Sequence, residues 1–163
     1  MKVLSAVLAL IVMLSLHVNG AEFSKAPTSG KAELIQEGPD KEWCPICGMK
    51  LPMFYKTNHA VKLTDGTKKQ YCSIRCLAVD MPAIKERLGQ MLVVAVDTDK
   101  LIDVNDAIYV MGSSAPGTMS MVSKYAFSTK AAAKEFRLFP FHDLIQQIEI
   151  LGMILFQNLK HDP

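Results

Sequence analysis

Four cysteines in two close pairs, Cys44 with Cys47 and Cys72 with Cys76, constrain this chain more than any other feature; 24 residues separate the pairs. A fold that brings the pairs together makes a single cluster of soft donors. Thiolates and thioethers select Cu(I), zinc and similar ions over magnesium or calcium, and Met49 sets a thioether two residues after Cys47. The rival reading is two disulfides, for which four cysteines allow three pairings. Bridging within either pair closes only a tiny loop and restrains the unfolded chain little. Hydrophobic residues, 50% of the chain, can also build a core without such staples. Metal binding is therefore the first expectation, with structural disulfides and redox exchange as alternatives.

The first 20 residues read as a cleaved signal peptide. Met1-Lys2 is a short positive region, Val3 to Val18 is an apolar stretch broken only by serines and His17, and Val18-Asn19-Gly20 offers a cleavage point before Ala21. Such a stretch is marginal for a bilayer core that needs roughly 20 residues, which makes an uncleaved anchor the lesser alternative. No cysteine stands at the cleavage point to carry a lipid. The expected location is the periplasm or another exported compartment, where oxidising conditions favour disulfides. The chain's formal net charge is +2, falling to +1 without Lys2, and no cluster of Lys and Arg suggests nucleic acid as a partner.

Residues 21–40 are polar, with few large apolar side chains other than Phe23, Leu34 and Ile35, and are expected to form a flexible tether. The metal-binding domain is expected over 41–140. Its first half, 41–97, opens on Trp43, expected in the core. A hairpin follows, with strands over 59–63 and 69–72 around a turn at Thr64-Asp65-Gly66-Thr67. Ser73 is a good cap for a helix from Ile74 to about Leu88 that Pro82 should kink or break. The positive end of that helix should lower the pKa of both Cys72 and Cys76. Met91 to Val96 reads as a buried strand.

The second half, 98–140, repeats the order. Strand 107–111, a Ser/Pro/Gly loop over 112–117, and a segment from Met119 that ends in Tyr125-Ala126-Phe127 lead to a helix over 129–136, with Ser128 as its cap. Laying His59–Leu63 over Asp106–Val110 places Phe127 and Ala131 where Cys72 and Cys76 stand. The implied fold class is α+β, with two similar small lobes after the signal peptide. Residues 141–163 carry Leu144, Ile148, Leu151, Leu155 and Leu159 at helical spacing, so a packing helix is expected there, able to make a weak membrane or partner contact.

Cys44-Pro-Ile-Cys47-Gly48-Met49, Tyr71-Cys72-Ser73, and Ala107-Ile-Tyr-Val-Met-Gly-Ser with Gly117-Thr118-Met119 resemble the NosL family of exported copper chaperones, which serve maturation of nitrous oxide reductase. The likeness covers roughly residues 40 to 140. The Cys-Ser-x-x-Cys ending is also similar to the treble-clef modules called TRASH or YHS domains, so the first lobe is expected to be treble-clef-like at its cysteines. The resemblance implies lobes of ββαβ type and Cu(I) cargo passed to a copper-enzyme assembly complex or apo-enzyme client. Cys76 is an addition to the pattern of those chaperones and makes a four-thiolate site possible.

The candidate ligands are Cys44, Cys47, Met49, Cys72, Cys76 and Met119, with His59, Met121 and Met53 as weaker candidates. A carrier of Cu(I) needs exchangeable soft donors rather than a closed cage. Met119, from the second lobe, is expected to close over a site in the first. The rival is structural Zn(II) held by all four cysteines in a module for protein interaction, and the third reading is a thiol redox protein using Cys44 and Cys47. No Ser/His/Asp set and no phosphate-binding glycine loop stands out, so no enzyme is expected.

Overall fold

The computed structural model describes residues 23–137 and the two-residue strand Ile145–Gln146. The signal-peptide expectation for 1–20, and the C-terminal helix apart from that strand, lie outside the described residues.

Strands β1 (His59–Leu63) and β2 (Lys68–Tyr71) form the expected antiparallel hairpin, with His59 opposite Tyr71. Its turn is built from turn chemistry: Asp65 Oδ1 accepts the Thr67 amide at 2.9 Å, and Gly66 takes a left-handed φ of 87°. Helix α1 (Ile74–Ile84) begins at Ser73, whose Oγ accepts from the Cys76 amide at 3.5 Å. It contains Pro82 and stops two residues later, short of Leu88. Proline has no N–H for the Ala78 carbonyl, so the last turn is weakened and passes into a 3-10 turn, Lys85–Arg87.

Strand β3 (Leu88–Ala95) then crosses the middle of the molecule. It pairs antiparallel with β1 and with β4 (Lys100–Asp103). A bulge at Lys62/Leu63 presses the β1 backbone against Gly89, where a Cβ would meet the Lys62 carbonyl oxygen at only 2.5 Å. The second half comprises β5 (Ile108–Met111), β6 (Lys124–Phe127), α2 (Lys130–Arg137) and β7 (Ile145–Gln146). One sheet runs through both halves in the order β2-β1-β3-β6-β5-β7, with β4 on β3; the halves join where Ala95 pairs with Ala126 in parallel. In this order β1 lies between β2 and β3, and β5 lies between β6 and β7.

Register corrects the sequence overlay by two positions in the first strand, where Ile108 rather than Asp106 matches His59, and by one in the second. His59 faces Tyr71 and Ile108 faces Phe127, so Phe127 stands at the place of Tyr71, and Ser128 and Ala132 fall where Cys72 and Cys76 are. The cap shifts likewise: Thr129 Oγ1, not Ser128, accepts from the first turn of α2, at the Ala132 amide, while the Ser128 hydroxyl donates to Asp97. Residues 119–122 are irregular, and β6 begins only at Lys124. Ile145 and Gln146, expected in a helix, pair with β5 as β7.

The segment expected to be a tether is fastened along residues 23–40. Phe23 sits edge-on to Tyr125 and Phe136, at 4.9 and 5.3 Å between ring centroids. Beside the edge strand β2, the Ile35 amide donates to Gln70 Oε1 and the Gln70 amide to Gln36 Oε1, both at 3.0 Å. The second of these bonds occupies a backbone amide that an open sheet edge leaves exposed. Leu34 packs on the main core, which also holds Cys44, Cys72, Cys76, Leu77, Val93 and Tyr109; a second core gathers Val110, Tyr125, Phe127 and Ala133.

Candidate metal centre

A tight backbone knuckle presents the first cysteine pair. The Cys44 amide donates to the Met49 carbonyl and the Gly48 amide to the Cys44 carbonyl, both at 2.9 Å, and Trp43 bridges to Lys50. Gly48 closes the knuckle at φ 71°, a left-handed conformation that costs an L side chain roughly 1–2 kcal/mol. The second pair comes from the end of the hairpin. Cys72 lies between β2 and the Ser73 cap, with its carbonyl accepting from Thr57 Oγ1 at 2.7 Å, and Cys76 is in the first turn of α1.

These elements bring four free thiols together, with all Sγ atoms within 4.8 Å of one another. Cys72 is the hub: its Sγ is 3.4 Å from Cys47 Sγ, 3.6 Å from Cys76 Sγ and 3.8 Å from Met49 Sδ. A tetrahedral thiolate site with metal–sulfur bonds of about 2.3 Å separates its sulfurs by about 3.8 Å, so the cluster fits a bound ion with small adjustments. Cys44, Cys72 and Cys76 are buried, and Cys47 is half-buried, which leaves Cys47 as the accessible thiol.

The electrostatics differ from the helix-dipole expectation. Hydrogen bonds from Cys72 and Cys76 hold the Cys44 thiol far below its ordinary range. Those same bonds to Cys44 push Cys72 well above its range and Cys76 up to about 12. In the metal-free cluster these shared hydrogen bonds favour the thiolate at Cys44 and the protonated thiol at Cys72 and Cys76. A bound cation favours thiolates throughout, so metal uptake must release thiol protons.

Met119 is half-buried, packs against the core that contains the cysteines, and holds a left-handed φ of 56°. Its neighbours Thr118 and Ser120 line a crevice with Ser73 and Ile74, so the second-half loop reaches the start of α1 beside Cys72. The remaining candidates stand elsewhere. Met121 is fully exposed and Met53 is 60% exposed. His59 is buried with both ring nitrogens engaged, Nδ1 to the Thr57 carbonyl at 3.1 Å and Nε2 to the Tyr109 hydroxyl at 3.0 Å. Its burial lowers the pKa to about 4, which makes it a neutral core group apart from the sulfur cluster. Trp43, expected in the core, is 46% exposed and lies near Lys50 Nζ. Thr57, which anchors the Cys72 carbonyl, gave no signal in the sequence.

Fold and site together define an α+β domain carrying a sulfur-rich candidate centre for a soft metal ion. The NosL family model matches residues 37–138, and the chain belongs to the NosL family. Among solved structures, the copper chaperone NosL from Shewanella denitrificans matches with 20% identity and a TM-score of 0.49, over 72% of this chain and 100% of that one. No curated protein matches this chain.

Proposed function

We propose that this protein is an exported Cu(I) metallochaperone that delivers copper for maturation of a periplasmic copper enzyme such as nitrous oxide reductase. The observation that carries this reading is the convergence of four free thiols and the Met49 thioether, with one thiol, Cys47, accessible. Membership of the NosL family supports copper as cargo and a role other than catalysis. The thioether favours Cu(I) over zinc, since a neutral soft sulfur adds little for the harder ion.

In this reading Cys44, Cys47, Cys72 and Cys76 hold the ion with Met49, and Met119, from the half 98–140, covers it from above the half 41–97. The two halves act as paired ββαβ lobes, the first supplying thiolates and the second a lid. Cys47 is the donor that an incoming ligand replaces first. The exposed large apolar side chains among the described residues, Trp43, Ile46, Met53, Val79, Met121 and Val122, all lie within four positions of a candidate donor in the chain. Of these, Trp43 and Ile46, beside Cys44 and Cys47 in the knuckle, supply apolar contacts for a client or assembly complex.

One observation favours a second reading: the four thiols already stand near tetrahedral spacing, which suits structural Zn(II). Metal analysis of protein purified under reducing conditions, with competition against a Cu(I) chelator, separates the two. One copper per chain that displaces any bound zinc and is lost in Cys47→Ser supports the chaperone. One zinc retained while a separate copper site stays intact refutes it. Met119→Leu is expected to slow Cu(I) transfer; unchanged affinity and transfer rate would remove Met119 from the site.

A further inference from the structure

Lys25 touches both halves of the molecule. Its carbonyl accepts the Lys56 amide at 2.9 Å, and its ammonium donates to the Gly117 carbonyl at 2.7 Å while lying 5.6 Å from the centre of the Phe54 ring. The backbone end of this tie is held firmly. Phe23 packs on Tyr125 and Phe136, the Thr28 amide donates to Asp99, and Lys56 Nζ donates to Thr28 Oγ1 at 3.0 Å. Thr57, the next residue after Lys56, donates its hydroxyl to the Cys72 carbonyl at 2.7 Å. Main-chain bonding thus joins Lys25 to the segment that anchors the second cysteine pair.

The side-chain end reaches the loop that carries Met119. Residues 112–123 contain no helix or strand, and Gly112, Ser113 and Pro116 bond to Ser123 and Tyr125 within the same half. Gly117 lies close against Ser120, where a Cβ would collide with the Ser120 carbonyl oxygen, so a hold on Gly117 is passed to the turn between them. Met119 sits in that turn with a left-handed φ of 56°, a conformation that persists outside glycine only when its surroundings over-determine it. The Lys25 ammonium on the Gly117 carbonyl is one such constraint, and its charge makes the hydrogen bond stronger than a neutral one.

We infer that Lys25 is a positioning residue for the metal site: it fixes the Met119 loop against the half that carries the cysteines. Its backbone is tied to the segment behind Cys72 and its side chain to the turn that holds Met119. The inference rests on the reading of Met119 as part of the site. Loss of the tie leaves every sulfur donor in the chain but lets the loop bearing Met119 drift from the cluster.

The test uses the protein as purified and reduced, with isotope-labelled methionine methyls whose Met119 signal is assigned through Met119→Leu. In the unaltered metal-free protein, nuclear Overhauser contacts are expected between the Lys25 ε-methylene and the Gly117 α-protons, a readout that stands even if a variant fails to fold. Lys25→Met is expected to move the Met119 methyl signal toward that of exposed Met121 while leaving that of Met91 in place. It should also weaken Cu(I) affinity about tenfold in chelator competition, the scale of losing an outer contact of a metal site. Added to Met119→Leu, Lys25→Met should weaken affinity no further, whereas a merely structural role gives additive losses. Missing Overhauser contacts, an unmoved Met119 signal in Lys25→Met, or additive losses overturn the inference. If Met119→Leu leaves affinity unchanged while Lys25→Met still moves the Met119 signal, the tie stands and the assignment of Met119 to the site fails.

Discussion

Acidification provides a measure of how completely the fold isolates His59. Its ring is buried between the Thr57 carbonyl and the Tyr109 hydroxyl, and burial lowers its pKa from 6.5 to about 4. Because the folded pKa is depressed, the unfolded chain takes up a proton first as the pH falls. Stability from this group is therefore intact above about pH 6.5 and is lost progressively down to about pH 4. Linkage at 1.36 kcal/mol per pKa unit gives a loss of roughly 2 kcal/mol by pH 5 and roughly 3 kcal/mol by pH 4. Urea unfolding of metal-free, reduced protein between pH 7 and pH 4 measures this loss, with His59→Gln as the non-titrating reference. The variant's own stability is immaterial; the stability difference between the two proteins should shrink by about 2 kcal/mol from pH 7 to pH 5. Parallel stability curves would refute the claim that His59 is held neutral in the core.

Three further outcomes follow from other contacts. Cys72→Ser removes the sulfur that touches three others, so thiophilic metal affinity should fall at least about 100-fold, more than for Cys47→Ser, in chelator competition. Phe23→Ala, which deletes the ring seated on Tyr125 and Phe136, should destabilise the fold by about 2 kcal/mol in chemical denaturation; a mobile tether would leave stability unchanged. Gly89→Ala should cost about 2 kcal/mol, because its Cβ has backbone rather than a flexible side chain in its way, and thermal unfolding reads the loss.

Much of the first half was legible in local pattern. Asp65-Gly66 specified the hairpin turn, and Ser73 specified the start of α1, because turn and cap chemistry depend on a few adjacent residues. The length of α1 was misjudged because Pro82 sits near enough to its end to stop the helix rather than kink it. The polar composition of 21–40 hid its attachment, which rests on Phe23, Leu34 and amide-to-glutamine bonds that join residues more than 30 positions apart. The overlay of the halves slipped, by two residues in the first strand and one in the second, because strand identity alone does not fix register; cross-strand pairing does.

For the site, residue type and spacing by themselves determined that soft donors come in two pairs with a thioether beside one, since ligand softness belongs to the side chain wherever it lies. They also determined the cap beside Cys72. Only the tertiary structure decided that the pairs meet, that Cys72 is the hub and Cys47 the accessible thiol, and that His59 and Met121 stand apart. The physical reason is that distance, burial and shared protons arise between segments far apart in the chain. The dipole at the start of α1 is a local property and was foreseeable, but the proximity of Cys44 that outweighs it exists only once the chain has folded.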